Sequence, residues 1–266
     1  GTVIINNNNH IFEVTSLRKD SSPSGRYSSV IFHNSWKMDA SRRDLTINAI
    51  YLDLDGNIFD PFEGVRDLMI GRVEFIGKMA DRLKEDYLRL LRYIRFYSKY
   101  SKFEINEKKI TIIKKYAKKI KILSKERIID EQRKIFSEDL EISLRSAEIM
   151  RETNLDIECY GEKFEFSKIR ELKKILTKVS WIKKISILFK KSKNRNLLKN
   201  LPLSLKERDI FYNLQNNFTE KEIAALLSQK WEQHVYYLGE DVGLKLLLSV
   251  PFSSIIKKRF EEIIKY

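Results

Sequence analysis

The strongest constraint on this chain is a change of pattern near residue 77. Before it, short β-rich runs alternate with turn formers; after it, apolar residues recur at the helical period. Pro23, Gly25, Gly56, Pro61, Gly64, Gly71 and Gly77 punctuate the first part, and such residues set turns and break helices. GTVII (1–5) and HIFEVTSL (10–17) are β-rich and joined by the turn-prone run Asn6–Asn9, which predicts a hairpin. RYSSVIFHN (26–34) reads as a third strand. LTINAIYLDLD (45–55) alternates into Gly56-Asn57 and NIFD (57–60) returns, a second hairpin. Beyond residue 77 the period predicts helices over 78–100, 106–118, 124–136, 138–152, 167–178, 180–191, 204–216, 219–228, 230–238 and 253–265. Ser204 with Glu207 and Thr219 with Glu222 have the capping-box spacing. The fold class is therefore α+β, a small mixed part followed by a long helical extension.

Composition narrows the partners. Lys and Arg number 51 against 37 Asp and Glu, for a net charge of +14, which favours an anionic partner, nucleic acid first. Residues 101–127 carry ten Lys/Arg against three acids, and 168–200 carry twelve against one. Solvated helix faces explain short charge runs, but a one-sided run of this length fits a phosphate backbone better, with binding that weakens steeply as salt rises. The lone Cys159 excludes an internal disulfide framework and suits a reducing, cytoplasmic location. His10, His33 and His234 are scattered and give no zinc-site spacing. No apolar run reaches the roughly 18 residues that a spanning helix needs, so no membrane contact is expected. The chain opens on Gly1 rather than Met, which suggests processing or a piece of something longer.

Three stretches carry chemistry. In EDYLRLLRYIRF (85–96), helical spacing puts Glu85, Arg89, Arg92 and Phe96 on one stripe with Asp86 at its edge, opposite Tyr87, Leu90, Leu91 and Ile94. The plain alternative is a solvated face with i,i+4 ion pairs. In DASRRDLTINAI (39–50), two arginines beside an aspartate at a helix-to-strand corner place guanidinium forks where they could grip phosphate or ribose oxygens. In IFEVTSLRKD (11–20), Glu13 projects from a strand, as a Mg²⁺-dependent phosphoryl-transfer site requires of a carboxylate. A lone strand Glu is also common at solvent-facing positions.

Taken in order, GTV…FEVTSLR, DASRRDLTINA, DGNIFDPFEGVRDL, EDYLRLLRYIRF and ERIIDEQRKIF resemble the class II tRNA nucleotidyltransferase and poly(A) polymerase family, over roughly residues 1–136. The resemblance implies a nucleotidyltransferase-type mixed head, residues 1–77, then a nucleotide-templating helical neck, 78–137, and an RNA-binding helical body and tail, 138–266. It implies that Asp86 and Arg89 template the incoming nucleotide. Cytosine and adenine each present an amine donor beside a ring-nitrogen acceptor, which a carboxylate and a guanidinium can match; uracil and guanine reverse the pattern. By the same match Arg43, Asp44 and Asn48 handle the sugar and triphosphate, and Arg92 and Arg95 contact the nucleotide. Helical geometry favours Arg92, since Arg95 points roughly 80° off the stripe. Glu85 supports the template, and Glu126 and Arg127 open a bracing helix. The implied partners are tRNA, CTP and ATP, with Mg²⁺ as cofactor.

The chain departs from the family in one respect that matters. The Gly-Gly or Gly-Ser turn and the Asp-x-Asp metal pair are not among its motifs, and Glu13 alone matches the site's third carboxylate. Asp53-Leu54-Asp55 has the right letters but reads as a hairpin end. Leu45 stands where Phe is usual, and Glu63 where a second Gly is frequent. The expectation is therefore a CCA-adding enzyme whose head is incomplete, with a separate N-terminal polypeptide as a candidate partner. The alternatives are a bacterial poly(A) polymerase and a non-catalytic RNA-binding remnant.

Overall fold

A computed structural model describes residues 2–7, 10–20, 30–32, 34–173, 179–190, 197, 201–223 and 240–249. The chain divides into two compact units, Gly1–Tyr116 and Ala117–Tyr266.

In the first unit, β1 (Thr2–Asn7) and β2 (His10–Thr15) form the expected antiparallel hairpin. Val3 lies opposite Val14, Ile5 opposite Phe12, and Ile4 opposite Glu13. Opposed residues share a face and alternate along the strand. Val3, Ile5, Phe12 and Val14 therefore make one apolar face, while Glu13 stands on the other. All five are exposed. β3 (Arg18–Asp20) pairs with β4 (Val30–Phe32), the described part of the strand expected over 26–34.

α1 (Trp36–Ser41) is capped by Ser35, whose side chain accepts from the Met38 amide. The single strand expected over 45–55 is not formed. Leu45 instead bridges Phe75, with the Thr46 amide donating to the Glu74 carbonyl (3.1 Å) and the Ile76 amide to that of Asp44 (3.0 Å). The chain then coils into a 3-10 turn, Thr46–Asn48, and strand structure is confined to β5 (Tyr51–Leu52), which pairs with β6 (Ile58–Phe59). A long-range bridge has overridden a local alternation. Trp36 packs on Tyr51 and Phe59, with centroids 5.6 and 5.9 Å away, fixing α1 to this hairpin. The Asp53 carboxylate closes the hairpin tip, accepting from Asp55 N, Asn57 N and Asn57 Nδ2.

A second helix, α2 (Gly64–Ile70), was not anticipated. Its first amides, Gly64 and Val65, donate to the two oxygens of Asp60 at 2.8 Å each. Glu63 enters it in the left-handed region, at φ 57. Gly64 lies against Thr46: a Cβ there would meet the Thr46 carbonyl carbon at 2.8 Å.

The helix expected over 78–100 is two helices, α3 (Met79–Glu85) and α4 (Arg89–Tyr100). Asp86 is extended (φ −156, ψ 112), and its Oδ1 accepts from the Leu88 amide at 3.0 Å. A short side chain that bonds its own backbone competes with the helix at that point. α4 keeps the expected sidedness, with Leu90, Leu91 and Ile94 buried and Phe75 stacked on Tyr93 at 5.1 Å. α5 (Glu107–Ala117) follows, with Ile113 fully buried.

The second unit is helical: a 3-10 turn Lys118–Ile122, then α6 (Lys125–Ser137), α7 (Leu140–Glu152), α8 (Leu155–Tyr160), α9 (Ser167–Glu171), α10 (Trp181–Leu188) and α11 (Leu205–Gln215). A further helix spans Glu240–Ser249; neither it nor α8 was expected. The helices expected over 230–238 and 253–265, and parts of those over 167–178 and 219–228, lie outside the described residues. The core centres on Tyr160, Phe164 and Phe189, with ring centroids 5.0–5.5 Å apart. The Ser204–Glu207 capping box forms. Glu207 also accepts from Arg133 of α6 and from Trp181 Nε1 of α10, joining three helices. Among the described residues no helix is long and apolar enough to cross a membrane.

Two substitutions test the entry to α2. Gly64→Ala must push the helix off the Thr46 backbone and should lower stability by about 1–3 kcal/mol. Glu63→Gly removes a strained left-handed residue and should raise it by about 0.5–1 kcal/mol, the gain being trimmed by glycine's entropy. Thermal melts of the two variants should move in opposite directions.

Candidate functional site

The bridge between Leu45 and Phe75 sets where the Arg-Arg-Asp corner sits. Asp44, only 6% exposed, then acts as a hub. Its Oδ1 accepts from the Leu45 amide and from Asn48 Nδ2, each at 3.0 Å, and its Oδ2 accepts from Arg92 Nε at 2.5 Å. Burial works against the Asp44 charge, but the bond to Arg92 outweighs it and holds the carboxyl below its ordinary value. Three of the expected residues, Asp44, Asn48 and Arg92, are thus brought into direct contact across 48 residues of chain.

Arg43 is held from the other side. Asp39, buried in α1, accepts through Oδ1 from Arg42 Nε (2.9 Å) and Nη2 (2.6 Å). Through Oδ2 it accepts from Arg43 Nε (3.3 Å), Arg43 Nη2 (3.1 Å) and the Tyr51 hydroxyl (2.8 Å). Burial disfavours the Arg43 charge, yet Tyr51 and Asp39 together hold the guanidinium above its ordinary value. Burial and the bond to Asp39 raise the Tyr51 hydroxyl.

The acid–arginine stretch keeps its contacts although its helix is broken. Glu85 ends α3 and accepts from both Arg82 and Arg89. Arg89 opens α4, also donates to the Arg82 carbonyl at 3.0 Å, and reaches the Arg42 carbonyl at 3.5 Å. Arg82 in turn donates to the carbonyls of Ile76 and Ser41. The expected stripe is therefore an elbow: Glu85 and Arg89 face each other across it, with Asp86 at the bend. Arg95 does not point clear of the stripe. Its Cζ lies 4.2 Å from the Phe96 ring, over which Arg92 also lies at 5.7 Å.

Other expected residues stand elsewhere. Glu13 is exposed on β2, and its side chain makes no hydrogen bond or ion pair with a described residue. Glu126 and Arg127 lie in the first turn of α6 in the second unit, exposed and half-buried. Among the described residues no three His, Cys, Asp or Glu side chains could hold a metal ion together. The donors described here do not by themselves fit a Mg²⁺ pair, and the carboxylate of Asp53 is committed to its turn. Sequence reasoning missed Asp39, Arg82 and Tyr51. The i,i+3 and i,i+4 spacing of Asp39 to Arg42 and Arg43 was a usable signal. Tyr51, brought in by the hairpin, left none.

The Asp44–Arg92 pair gives a pH test. A depressed folded value means that the pair's stabilisation is complete above the ordinary carboxylate range near pH 4 and is lost as pH falls through the lower, folded value. Asp44→Asn should cost about 1–2 kcal/mol at neutral pH, a figure that allows for the solvent exposure of Arg92. It should also flatten the loss of melting temperature between about pH 4 and pH 2 relative to the wild type.

Residues 1–74 match the Poly A polymerase head domain family. Over 99 residues the chain is 48% identical to CCA tRNA nucleotidyltransferase 1, mitochondrial, of Danio rerio, covering 37% of this chain and 23% of that protein. Over 130 residues it is 38% identical to the CCA-adding enzyme of Enterococcus faecalis, covering 48% of this chain and 32% of that one. The fold is that of the Bacillus stearothermophilus CCA-adding enzyme, solved in complex with CTP: the TM-score is 0.70 at 23% identity, over 100% of this chain and 65% of that one. The match thus spans less than a third of the length of these two curated relatives. The resemblance read from the five motifs is borne out, and so is the α+β fold.

Proposed function

We propose that this chain carries the nucleotide-selecting part of a CCA-adding tRNA nucleotidyltransferase, which transfers CMP and AMP units from CTP and ATP to a tRNA 3′-hydroxyl. The observation that carries the reading is the elbow at Asp86. An acid at the bend and an arginine in the first turn of α4 lie beside the Arg-Arg-Asp corner, where Arg89 reaches the Arg42 carbonyl. A base read by Asp86 and Arg89 would then have its sugar and phosphates near Arg43, Asn48 and Arg92. Arg92 and Arg95, both over the Phe96 ring, form the cationic flank. The relatives' names and the CTP in the neighbouring structure support the substrate class.

In this reading the head is residues 1–77, the templating neck 78–137, and the body 138–266 binds tRNA through its basic helices. Glu85, Glu126 and Arg127 brace rather than react. Mg²⁺, when bound, would polarise the phosphates and the attacking hydroxyl. Glu13 would supply one of its carboxylates; the remaining ligands are not among the described residues. The uncovered apolar face of the β1–β2 hairpin supports a further polypeptide segment that completes the head. That no metal-holding cluster stands among the described residues also favours a second reading, a non-catalytic RNA-binding remnant.

Nucleotide titration of the chain tests the selection step. CTP and ATP should bind at least about tenfold more tightly than UTP and GTP, and Arg89→Ala should erase that difference. Equal affinity for all four would end the templating reading. Incorporation of labelled CTP and ATP into tRNA lacking its CCA end separates the functions. The chain alone with Mg²⁺ should bind nucleotide and add none, while addition of three nucleotides would show that its own carboxylates suffice.

A further inference from the structure

Asp39 is an unusual carboxylate for an α-helix of six residues. It is 1% exposed, yet two guanidinium forks and a tyrosine hydroxyl converge on its two oxygens. A buried carboxylate needs one good cationic partner to offset its desolvation. Here a second arginine is engaged in addition, and the engagement is lopsided. Arg42 is mostly buried, its side chain 18% exposed, and it satisfies the Asp39 charge at the shorter distances. Arg43 is 42% exposed and is held at longer ones.

Asp39 takes only the Nε–Nη2 edge of Arg43. Neither of these bonds engages the remaining nitrogen, Nη1. The Arg43 Cζ lies 6.0 Å from the centroid of the Tyr51 ring, and the Tyr51 hydroxyl is tied to the same Asp39 oxygen. A long flexible side chain is thereby fixed at its inner edge and along one face, with an outer edge that Asp39 does not take. Such an arrangement removes the rotamer entropy that an arginine otherwise loses when it grips a ligand.

We infer that Asp39 is a positioning residue that presents the outer edge of Arg43 to the phosphates of the bound nucleotide, with Tyr51 as the backstop. The inference rests on the nucleotide reading above and adds a residue to it. Asp39 itself touches no substrate; its charge acts through Arg43. It therefore governs affinity for the triphosphate rather than recognition of the base.

The test compares CTP with cytidine, by titration of the whole chain monitored by NMR. Asp39→Asn keeps the shape but loses the charge and turns an amide donor toward the guanidinium. CTP affinity should fall about tenfold or more while cytidine affinity stays within about threefold. In an Arg43→Ala background the same change should have no further effect on CTP, because the contact it acts through is gone. Asp39→Glu, which restores both oxygens, should recover part of the CTP affinity. Equal losses for CTP and cytidine, or an undiminished Asp39→Asn effect in the Arg43→Ala background, would show a purely structural carboxylate and overturn the inference. So would unchanged CTP affinity. If the wild-type chain binds cytidine and CTP equally, Arg43 is not a phosphate ligand and the inference falls while base reading stands. If it binds neither, the nucleotide reading itself falls and takes the inference with it.

Discussion

The carboxylate of Asp44 is where the first unit is tied together. Its backbone carbonyl takes the Ile76 amide, its Oδ1 takes the Leu45 amide and Asn48, and its Oδ2 takes Arg92 from α4. One residue thus fixes a corner, a 3-10 turn and a helix against one another. A buried charge tolerates no loose partner, because an unpaired one costs several kcal/mol. The polar face of α4 consequently has little freedom to rotate relative to the corner, and the hydrophobic packing of Leu90, Leu91 and Ile94 beneath it secures the same register.

The same logic extends around the site. Arg42 and Arg43 share Asp39, Arg82 and Arg89 share Glu85, and Arg92 has Asp44. Five arginines are met there by three acids, with Asp86 at the elbow a fourth. With Arg95 over the Phe96 ring, six arginines stand against four acids, a small excess in a chain whose net charge is +14. Under the proposed function, selection there would come from the direction of donors and acceptors rather than from bulk attraction, which would be left to the lysine-rich stretches elsewhere. Such a separation would let a base be read by geometry while a polyanion is held by charge.

Much of this was legible in the sequence. The switch to helical periodicity, both hairpins, the buried face of α4, the turn at Asp53 and the pairing of Glu85 with Arg89 all follow from local spacing, and local spacing is what a sequence displays. What was not legible depended on distant partners. The strand expected over 45–55 gave way because Leu45 bridges Phe75, thirty residues on in the chain. The continuous helix over 78–100 broke because Asp86 bonds the Leu88 amide, a choice that helical periodicity cannot reveal. α2 went unseen because its start depends on Asp60 and on a left-handed Glu63. That conformation also explains why glycine is frequent at this position in the family the motifs resemble. Of the site, Arg43, Asp44, Asn48, Arg89 and Arg92 were named from the sequence, whereas Tyr51 arrives only through the fold.

The β1–β2 hairpin has a consequence for how the chain behaves in solution. Val3, Ile5, Phe12 and Val14 lie together on one face and are each about half exposed or more, and a two-stranded hairpin is marginal in water without a covering layer. Two opposed forces then act between copies: repulsion from the net charge and attraction between uncovered apolar faces. Added salt weakens the first by screening, and a salting-out anion such as sulfate strengthens the second. Solubility should therefore be greatest in dilute buffer and decline as ionic strength rises, so that the conditions which would loosen nucleic acid from the basic helices under the proposed function are the ones that draw the bare chains together.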